Sequence, residues 1–244
     1  MRGINRALFI FLIVCCSLCG AVASADDYDE EDDYLSDDDY LFEEETKDYL
    51  EPWNRLMFNF NDRLYFLAMK PVTEGYVYIA PVSFRLAISN FFSNLSFPVR
   101  FTNSLLQCKG DGAAAELWRF LLNSTVGVLG FGNPAGIYPD LNQSDEDFGQ
   151  TLGSYGVGNG AYVVWPVLGP STLRDTFGDC LDAFLRPTSY IEPWWASAGV
   201  WSFDRINSLS FSMKDYEAVM EAAFEPYIAV KDGYHQLRKK KIEE

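Results

Sequence analysis

Apolar side chains along this chain recur mostly every three or four residues, the spacing of amphipathic helices. The first helix is expected to end before Pro71 and the second before Pro98, while the fourth is expected to start at the N-cap Ser171 and to end before Pro187. Strand-like alternation is limited to a short extended piece at 161–165. The pattern predicts a mainly α-helical domain. Its expected helices lie, in chain order, near 57–67, 84–95, 114–122, 173–184, 203–223 and 226–241.

Two segments between these helices, 120–139 and 148–173, contain no charged residue. Both are too rich in Gly and Pro for ordinary membrane-spanning helices. Such backbone lies at membrane depth only where protein or a water-filled cavity satisfies its polar groups. A third segment, 193–203, carries three Trp residues, which suit a lipid headgroup interface. Two interpretations stay open for all three: a buried loop packed on the core, or a membrane-associated surface.

The net charge of −16 over 244 residues is not spread evenly. Fifteen of the 35 acidic residues lie within 26–51, opposed there only by Lys47. This composition predicts a disordered acidic leader at 26–50; the alternative is a docking arm for a basic partner. The remaining body has no excess of positive charge, so nucleic acid is excluded as an expected partner.

The first 25 residues have the pattern of an export signal. A short basic region with Arg2 and Arg6 precedes an apolar run that ends in small residues at Ala25. Cleavage after Ala25 is favoured. The alternative is lipid attachment, with Cys19 as the candidate, although Leu18 stands where that site prefers a small residue.

Removal of the signal leaves two cysteines, Cys108 and Cys180. In an oxidising compartment they form a possible disulfide, and two unpaired thiols are the alternative. Known catalytic patterns are missing: Leu152 replaces the first glycine of a nucleophile elbow around Ser154, and the only histidine, His235, is expected at the surface. No metal site, cofactor or enzymatic activity is therefore expected, and a phospholipase using His235 is a minor hypothesis.

Several motifs then place the chain beside a known family. They include EPWNRLMFNFN at 51–61, ISNFFSNL at 88–95, NSLLQ at 103–107, RFLLNST at 119–125, DFGQTLG at 147–153 with YGVG at 155–158, and PVLGPSTLRD at 166–175, followed by shorter matches at 226–227 and 232–234. In order and spacing they resemble the VacJ/MlaA family of outer-membrane phospholipid-transport proteins.

The resemblance implies an all-α, ring-like helical domain over 51–244, with Gly/Pro-rich membrane-embedded connections around a central amphipathic channel. It implies a seat in the inner leaflet of the outer membrane, at its periplasmic face. Mislocalised phospholipid from the outer leaflet passes to a soluble periplasmic lipid carrier of the MlaC type, and family members associate with trimeric porins. No covalent chemistry is involved. The alternative function is a soluble periplasmic lipid-binding or scaffold protein that docks through its acidic arm.

The residues expected to contact lipid come from the matching motifs and the Trp cluster. Arg55 and Arg174 are candidates to attract a lipid phosphate, with an internal salt bridge as the alternative for each. The acidic leader, Cys108 and Cys180 lie outside the family pattern. The full set of channel and membrane-contact candidates is Asn54, Arg55, Phe58, Phe60, Asn61, Gly153, Tyr155, Gly156, Gly158, Trp165, Pro166, Arg174, Trp194 and Trp195.

Overall fold

A computed structural model of the protein describes residues 48–243. The predicted signal peptide, the possible lipidation at Cys19 and the acidic leader up to residue 47 lie outside the described residues. The helices are α1 (Glu51–Leu64), a π-helical turn (Tyr65–Met69), α2 (Lys70–Ile79), α3 (Val82–Leu95), α4 (Phe97–Leu106), α5 (Gly110–Thr125), α6 (Phe148–Ser154), α7 (Leu173–Asp182), α8 (Trp194–Ala222) and α9 (Pro226–Glu243), with 3-10 turns at Pro134–Ile137 and Pro187–Tyr190 and strands β1 (Tyr162–Trp165) and β2 (Gly169–Thr172).

The expectation of a mainly helical domain is confirmed, but three predicted boundaries are wrong. The first helix does not stop before Pro71, because the π-helical turn carries the chain past it. In that turn the Lys70 N–H binds the Tyr65 carbonyl five residues back, which makes a wider turn just before the proline. The helix predicted from 203 starts at Trp194 and so includes the whole Trp cluster.

The α7 helix starts one residue later than predicted. Its N-cap is Thr172, whose side chain accepts a hydrogen bond from the Asp175 N–H. Ser171 instead belongs to β2. The short helix α6 was missed, because its sequence reads as part of a glycine-rich loop; its N-cap Asp147 accepts from the Gln150 N–H.

The predicted extended piece is confirmed as β1, which pairs antiparallel with β2 from Tyr162 opposite Thr172 to Trp165 opposite Gly169. Two asparagines of α1 attach this hairpin to the helix. Asn54 donates to the Tyr162 carbonyl at 3.0 Å and accepts from the Val164 N–H at 2.8 Å. Seven residues on, Asn61 repeats the pattern, donating to the Trp165 carbonyl at 2.9 Å and accepting from the Val167 N–H at 2.7 Å. Each amide thus satisfies strand backbone groups as a neighbouring strand would.

The interior of the described residues is more polar than apolar. Ten hydrophobic residues are buried there, against twenty polar or charged ones. The small apolar core joins Tyr162 and Val164 of β1 to Tyr227 of α9. Buried polar side chains cost free energy unless they are hydrogen-bonded, so the stability of this interior depends on hydrogen bonds and ion pairs between them.

The outer surface has the opposite character. Among residues 48–243, thirty-nine large hydrophobic side chains are exposed, including Tyr78 at 92%, Leu67 at 80% and Phe224 at 101% of full exposure. Single exposed apolar residues are normal, but so many of them mark an interaction or membrane surface. No helix within 48–243 has both the length and the apolar character needed to cross a bilayer.

Candidate functional site

The first uncharged segment contributes an apolar loop to this surface. After α5 the chain presents Val126, Val128 and Leu129, each 68–69% exposed. Val128 and Leu129 both have positive φ, at 53° and 58°, a conformation that side chains adopt rarely and at a cost. The buried-loop interpretation is therefore wrong for these residues, which the fold holds outward.

The backbone of this apolar loop satisfies itself. The N–H of Leu129 binds the Ser124 carbonyl at 3.0 Å, that of Gly130 binds Asn123 at 2.8 Å, and that of Gly132 binds Gly127 at 2.7 Å. A Cβ on Gly127 would lie 2.5 Å from the Asn123 oxygen, so only glycine allows the backbone at 127 to pack this closely against the end of α5. A loop with apolar side chains outside and internally bonded backbone meets the requirement for non-helical chain at membrane depth.

The Trp cluster is exposed in the same way. Trp194 and Trp195, at the start of α8, are 80% and 64% exposed, and Trp201 is 41% exposed. Trp side chains with apolar rings and an N–H donor suit the boundary between headgroups and acyl chains.

A cavity of about 500 Å³ lies between α3, α4, the 143–147 loop, α8 and the end of α9. We call it the charged cavity. Its volume falls in the range of roughly 300–1,000 Å³ typical of small-ligand sites. One part of its wall is apolar, and the rest carries acids and bases. The apolar wall is formed by Phe92, Leu95, Val99, Pro187, Val200 and Trp201, and the charged wall by Arg100, Asp145, Glu146, Asp147, Arg186, Asp204 and Lys241.

Beside this cavity, one buried arginine of α9 joins the starts of α6 and α7. Arg238 binds Asp147 at 2.6 and 2.9 Å and Asp175 at 2.8 Å, while Arg174 also binds Asp175 at 3.0 Å. The Tyr234 hydroxyl donates to the second Asp175 oxygen at 2.6 Å. We call these five residues the Arg238 network.

The electrostatics of this network follow from burial and pairing. Burial alone would raise the pKa of Asp147, but the hydrogen bonds and charge of Arg238 lower it below its ordinary value. Burial would likewise raise the pKa of Asp175, but Arg238, Tyr234 and Arg174 together lower it below its usual range. Both carboxylates are therefore ionised and paired with Arg238, whose Nε is buried without a hydrogen-bond partner among the described residues.

Two glycines allow the helices to approach this closely. A Cβ on Gly149 would lie 2.5 Å from an Asp175 oxygen and 2.7 Å from an Arg238 nitrogen. A Cβ on Gly178 would lie 2.4 Å from the Gly149 nitrogen, so α6 and α7 meet glycine to glycine.

A second polar network ties α4 to the same helices. Asn103 donates to Asp182 at 2.9 Å and accepts from the Thr151 hydroxyl at 2.9 Å. The other Asp182 oxygen accepts from the Phe148 N–H at 3.1 Å. Asn103 and Asp182 are completely buried, so these bonds replace lost hydration.

With this geometry established, comparison with known proteins decides the family. The model of the MlaA lipoprotein family matches residues 46–241. The chain belongs to the MlaA lipoprotein family. The resemblance seen in the sequence is therefore confirmed over the described domain.

Known members of the MlaA family align with most of the chain. The "Intermembrane phospholipid transport system lipoprotein MlaA" of Escherichia coli (strain K12) is 36% identical over 192 residues, covering 78% of this chain and 76% of the relative. The protein of the same name from Shigella flexneri has the same identity and coverage. A solved structure described as "Structural basis for maintenance of bacterial outer membrane lipid asymmetry" superposes with a TM-score of 0.73 at 34% identity, covering 80% of this chain and 99% of that one.

In this fold the residues of the MlaA motifs mainly stabilise the structure. The Asn54 and Asn61 positions hold the hairpin, and DFGQTLG together with Arg174 and Asp175 builds the Arg238 network. Arg174 is buried in its salt bridge with Asp175, which is the alternative that the sequence left open. Arg55 binds Glu51 at 2.7 Å and, more weakly, Glu225 at 3.4 Å.

The remaining predicted contact residues are distributed over the surface and do not line the charged cavity. Arg55 and Phe58 lie beside a separate cavity of about 390 Å³ near Tyr227. Gly153 packs under Ile242 of α9, and the half-buried Trp165 donates to Thr176 at 2.9 Å. The others are all exposed: Phe60, Tyr155, Gly156, Gly158, Pro166, Trp194 and Trp195.

Cys180 is a free, exposed thiol of α7, so the possible disulfide with Cys108, one of the two alternatives that the sequence left open, is contradicted. Contrary to the expectation from the sequence, His235 is not a surface residue. Both of its ring nitrogens are buried without a hydrogen-bond partner among residues 48–243, and its ring contacts those of Tyr162 and Tyr234 at centroid distances of 5.4 and 6.0 Å. Burial, together with the charge of Lys231, lowers the pKa of His235, so the ring is held neutral.

Sequence reasoning missed the residues of the charged cavity. Arg186, Asp204 and Lys241 come from three different elements, the loop after α7, α8 and α9, and none lies in a recognisable motif. On α8 a signal was present: Val200, Trp201, Asp204 and Ser208 recur at helical spacing, which places them on one face.

Proposed function

We propose that this protein is the outer-membrane component of a phospholipid transport system, which removes mislocalised phospholipid from the outer leaflet and so maintains lipid asymmetry. The observation that carries the proposal is the reversed polarity of the domain: a paired, charged interior next to a cavity, inside an apolar, aromatic surface. Membership of the MlaA family supports the same function.

This arrangement suits a protein seated in one leaflet at the periplasmic face. The apolar loop around Leu129 and the Trp cluster at Trp194 provide the surface that contacts lipid. A phospholipid has a polar headgroup and apolar chains, and the charged cavity offers walls of both kinds. Passage through a channel that includes this cavity needs no bond to form or break, so the proposal includes no catalysis and no cofactor.

Two partners complete the proposal: a trimeric porin of the outer membrane and a soluble periplasmic lipid carrier. Phospholipid is insoluble, so a component at the membrane needs an acceptor that shields the acyl chains in the periplasm. The exposed aromatic and aliphatic residues, among them Tyr78 and Ile79, offer a surface that a membrane-embedded porin could cover.

Deletion of the gene in its own bacterium tests the proposal. We expect phospholipid to accumulate in the outer leaflet, measured by its sensitivity to phospholipase added to intact cells, and re-expression of the full chain to reverse the effect. An unchanged outer leaflet would contradict the function. Extraction of the protein from membranes by salt alone would instead favour the soluble periplasmic alternative.

A further inference from the structure

The charged cavity contains two cations that the fold leaves weakly paired. Arg186 reaches Asp179 at 3.5 Å, with both side chains substantially exposed. Lys241 reaches the exposed Asp145, also at 3.5 Å. Both distances lie at the outer limit of a hydrogen bond, and exposed pairs of this kind contribute little. The two cations are therefore available to a ligand.

The same cavity contains a carboxylate with no partner in the described chain. Asp204 makes neither a hydrogen bond nor an ion pair with any residue of 48–243, although it lines the cavity. Burial raises its pKa, while the nearby charges of Arg205 and Arg186 act to lower it. A cation placed beside Asp204 would supply the pairing that it lacks.

The other charged groups of the cavity wall are already occupied. Arg100 binds Glu116 at 2.9 Å, and Glu146 binds Lys109 at 2.8 Å. Asp147 belongs to the Arg238 network. Among the described residues of this wall, the weakly paired groups thus comprise two cations and two acids, Asp145 and Asp204, rather than charges of one sign.

We propose that the charged cavity binds the headgroup of a zwitterionic aminophospholipid, with its phosphate beside Arg186 and Lys241 and its ammonium group beside Asp204. The inference deepens the proposed function and rests on it. An anionic headgroup without an amine, such as that of phosphatidylglycerol, satisfies the two cations but leaves Asp204 uncompensated. Phosphatidylethanolamine satisfies all three.

The apolar wall gives the headgroup an orientation. Val200 and Trp201 lie about one helical turn before Asp204 on α8, and Phe92 and Val99 belong to the facing helices. A headgroup with its amine at Asp204 thus has apolar surface nearby for the glycerol and the first methylenes. The charged headgroup thus contacts the charged wall, and the glycerol and first methylenes contact the apolar wall.

Competition between two lipids tests the inference. The full chain is purified from membranes, equilibrated with vesicles of equal moles of phosphatidylethanolamine and phosphatidylglycerol, and re-isolated, and the bound lipids are quantified by mass spectrometry. We expect roughly tenfold enrichment of phosphatidylethanolamine, the value of one charge-assisted hydrogen bond. Asp204→Asn should abolish this preference, whereas Asp204→Glu should retain it. The control Asp215→Asn, at an exposed position on the same helix, should leave it unchanged.

The cations have a different expected effect. The double variant Arg186→Gln, Lys241→Gln should lower the amount of both lipids bound, while Lys239→Gln, exposed on the same helix as Lys241, should not. Equal recovery of both lipids by the unaltered protein, or an unchanged preference in Asp204→Asn, would overturn the headgroup inference and leave the proposed function in place. If the protein recovers no phospholipid and deletion leaves the outer leaflet unchanged, the proposed function itself fails.

Discussion

The two uncharged segments, 120–139 and 148–173, look alike in sequence, but their first parts take different roles in the structure. The first ends α5 and forms the apolar loop, with Val128 and Leu129 turned outward. The second begins with α6, whose Gly149 and Gln150 are buried against charged side chains. The first segment presents apolar groups to the surroundings, whereas the start of the second provides backbone on which charges from elsewhere are assembled. Exposed apolar residues such as Val157 and Leu168 follow later in the second segment.

The difference lies in what surrounds each segment. Asp147 and Arg174 flank the second segment directly, and Arg238 joins them from a helix more than sixty residues further along the chain. At the start of the first segment, Arg119 donates to the Leu141 carbonyl at 2.5 Å and closes the base of the segment. A lack of charge therefore does not by itself identify a membrane-facing segment. The neighbouring polar groups decide whether it faces inward.

The largest expected effect comes from removing Arg238. Arg238→Ala removes the partner of the half-buried Asp147 and one of the partners of the buried Asp175, and breaking such a pair typically costs about 3–5 kcal/mol of unfolding free energy. We expect a large fall in the free energy of unfolding, measured by chemical denaturation in detergent. Lys239→Ala, exposed on the same helix, is the control and should change little. A stability of Arg238→Ala equal to that of the control would refute the network as the anchor of α9.

Next in size is a single methyl group in the second segment. Gly149→Ala places a Cβ against the Asp175 carboxylate and the Arg238 guanidinium, and overpacking of this kind costs about 3 kcal/mol at the upper end of its range. Gly158→Ala is the matched control, because no atom lies within 4 Å of a Cβ built there. Thermal unfolding of the two variants should separate them clearly. Similar melting temperatures would show that α6 and α7 tolerate separation.

A charge in the apolar loop should affect membrane binding and not folding. Leu129 has φ 58°, which Asp tolerates better than Leu, so Leu129→Asp should fold normally. A carboxylate at shallow membrane depth should cost about 2 kcal/mol, or roughly a thirtyfold loss of partitioning into vesicles, measured by flotation. The control Leu129→Met keeps an apolar side chain and should bind as before. Unchanged flotation of Leu129→Asp would mean that the loop faces water.

The smallest effect is a pH dependence from His235, which contacts Tyr162 of the second segment. Its lowered pKa means that folding favours the neutral ring, so stability should fall as pH drops below about 6.5, the value expected in the unfolded chain. The slope for one group is at most about 1.4 kcal/mol per pH unit. His235→Phe should lose less stability between pH 7 and 5 than the unaltered protein does.

The network carboxylates do not obscure this measurement. The pKa values of Asp147 and Asp175 are lowered, so their contribution is lost only as pH falls below about 4. An equal loss of stability between pH 7 and 5 in His235→Phe and in the unaltered protein would assign the loss to another group.

Much of the fold was predictable, because helical periodicity and proline positions report local structure directly. The wrongly predicted boundaries depend on features that periodicity does not report. A π-helical turn lets the helix continue past Pro71, and α8 begins at Trp194, whose exposed ring is not part of a buried apolar stripe. The short helix α6 was missed because its glycines are typical of a loop. Their role is in tertiary packing, where Gly149 of α6 lies against Gly178 of α7.

The candidate site was less accessible to sequence reasoning. Motif residues such as Asn54 and Arg174 were candidates for lipid contact, but in the structure they stabilise the fold. The charged cavity combines Arg186, Asp204 and Lys241, and only the tertiary arrangement brings them together. No local pattern distinguishes these residues from ordinary surface charges.

The most direct test of the account asks whether the apolar loop contacts lipid in the cell. A benzophenone-bearing amino acid is placed at Leu129 and, as a control, at the exposed Asp215; cells are irradiated and the purified protein is analysed by mass spectrometry. We predict phospholipid adducts at position 129 and none at 215. Adducts that are absent at both positions, or equal at both, would contradict a domain whose apolar surface lies in the membrane.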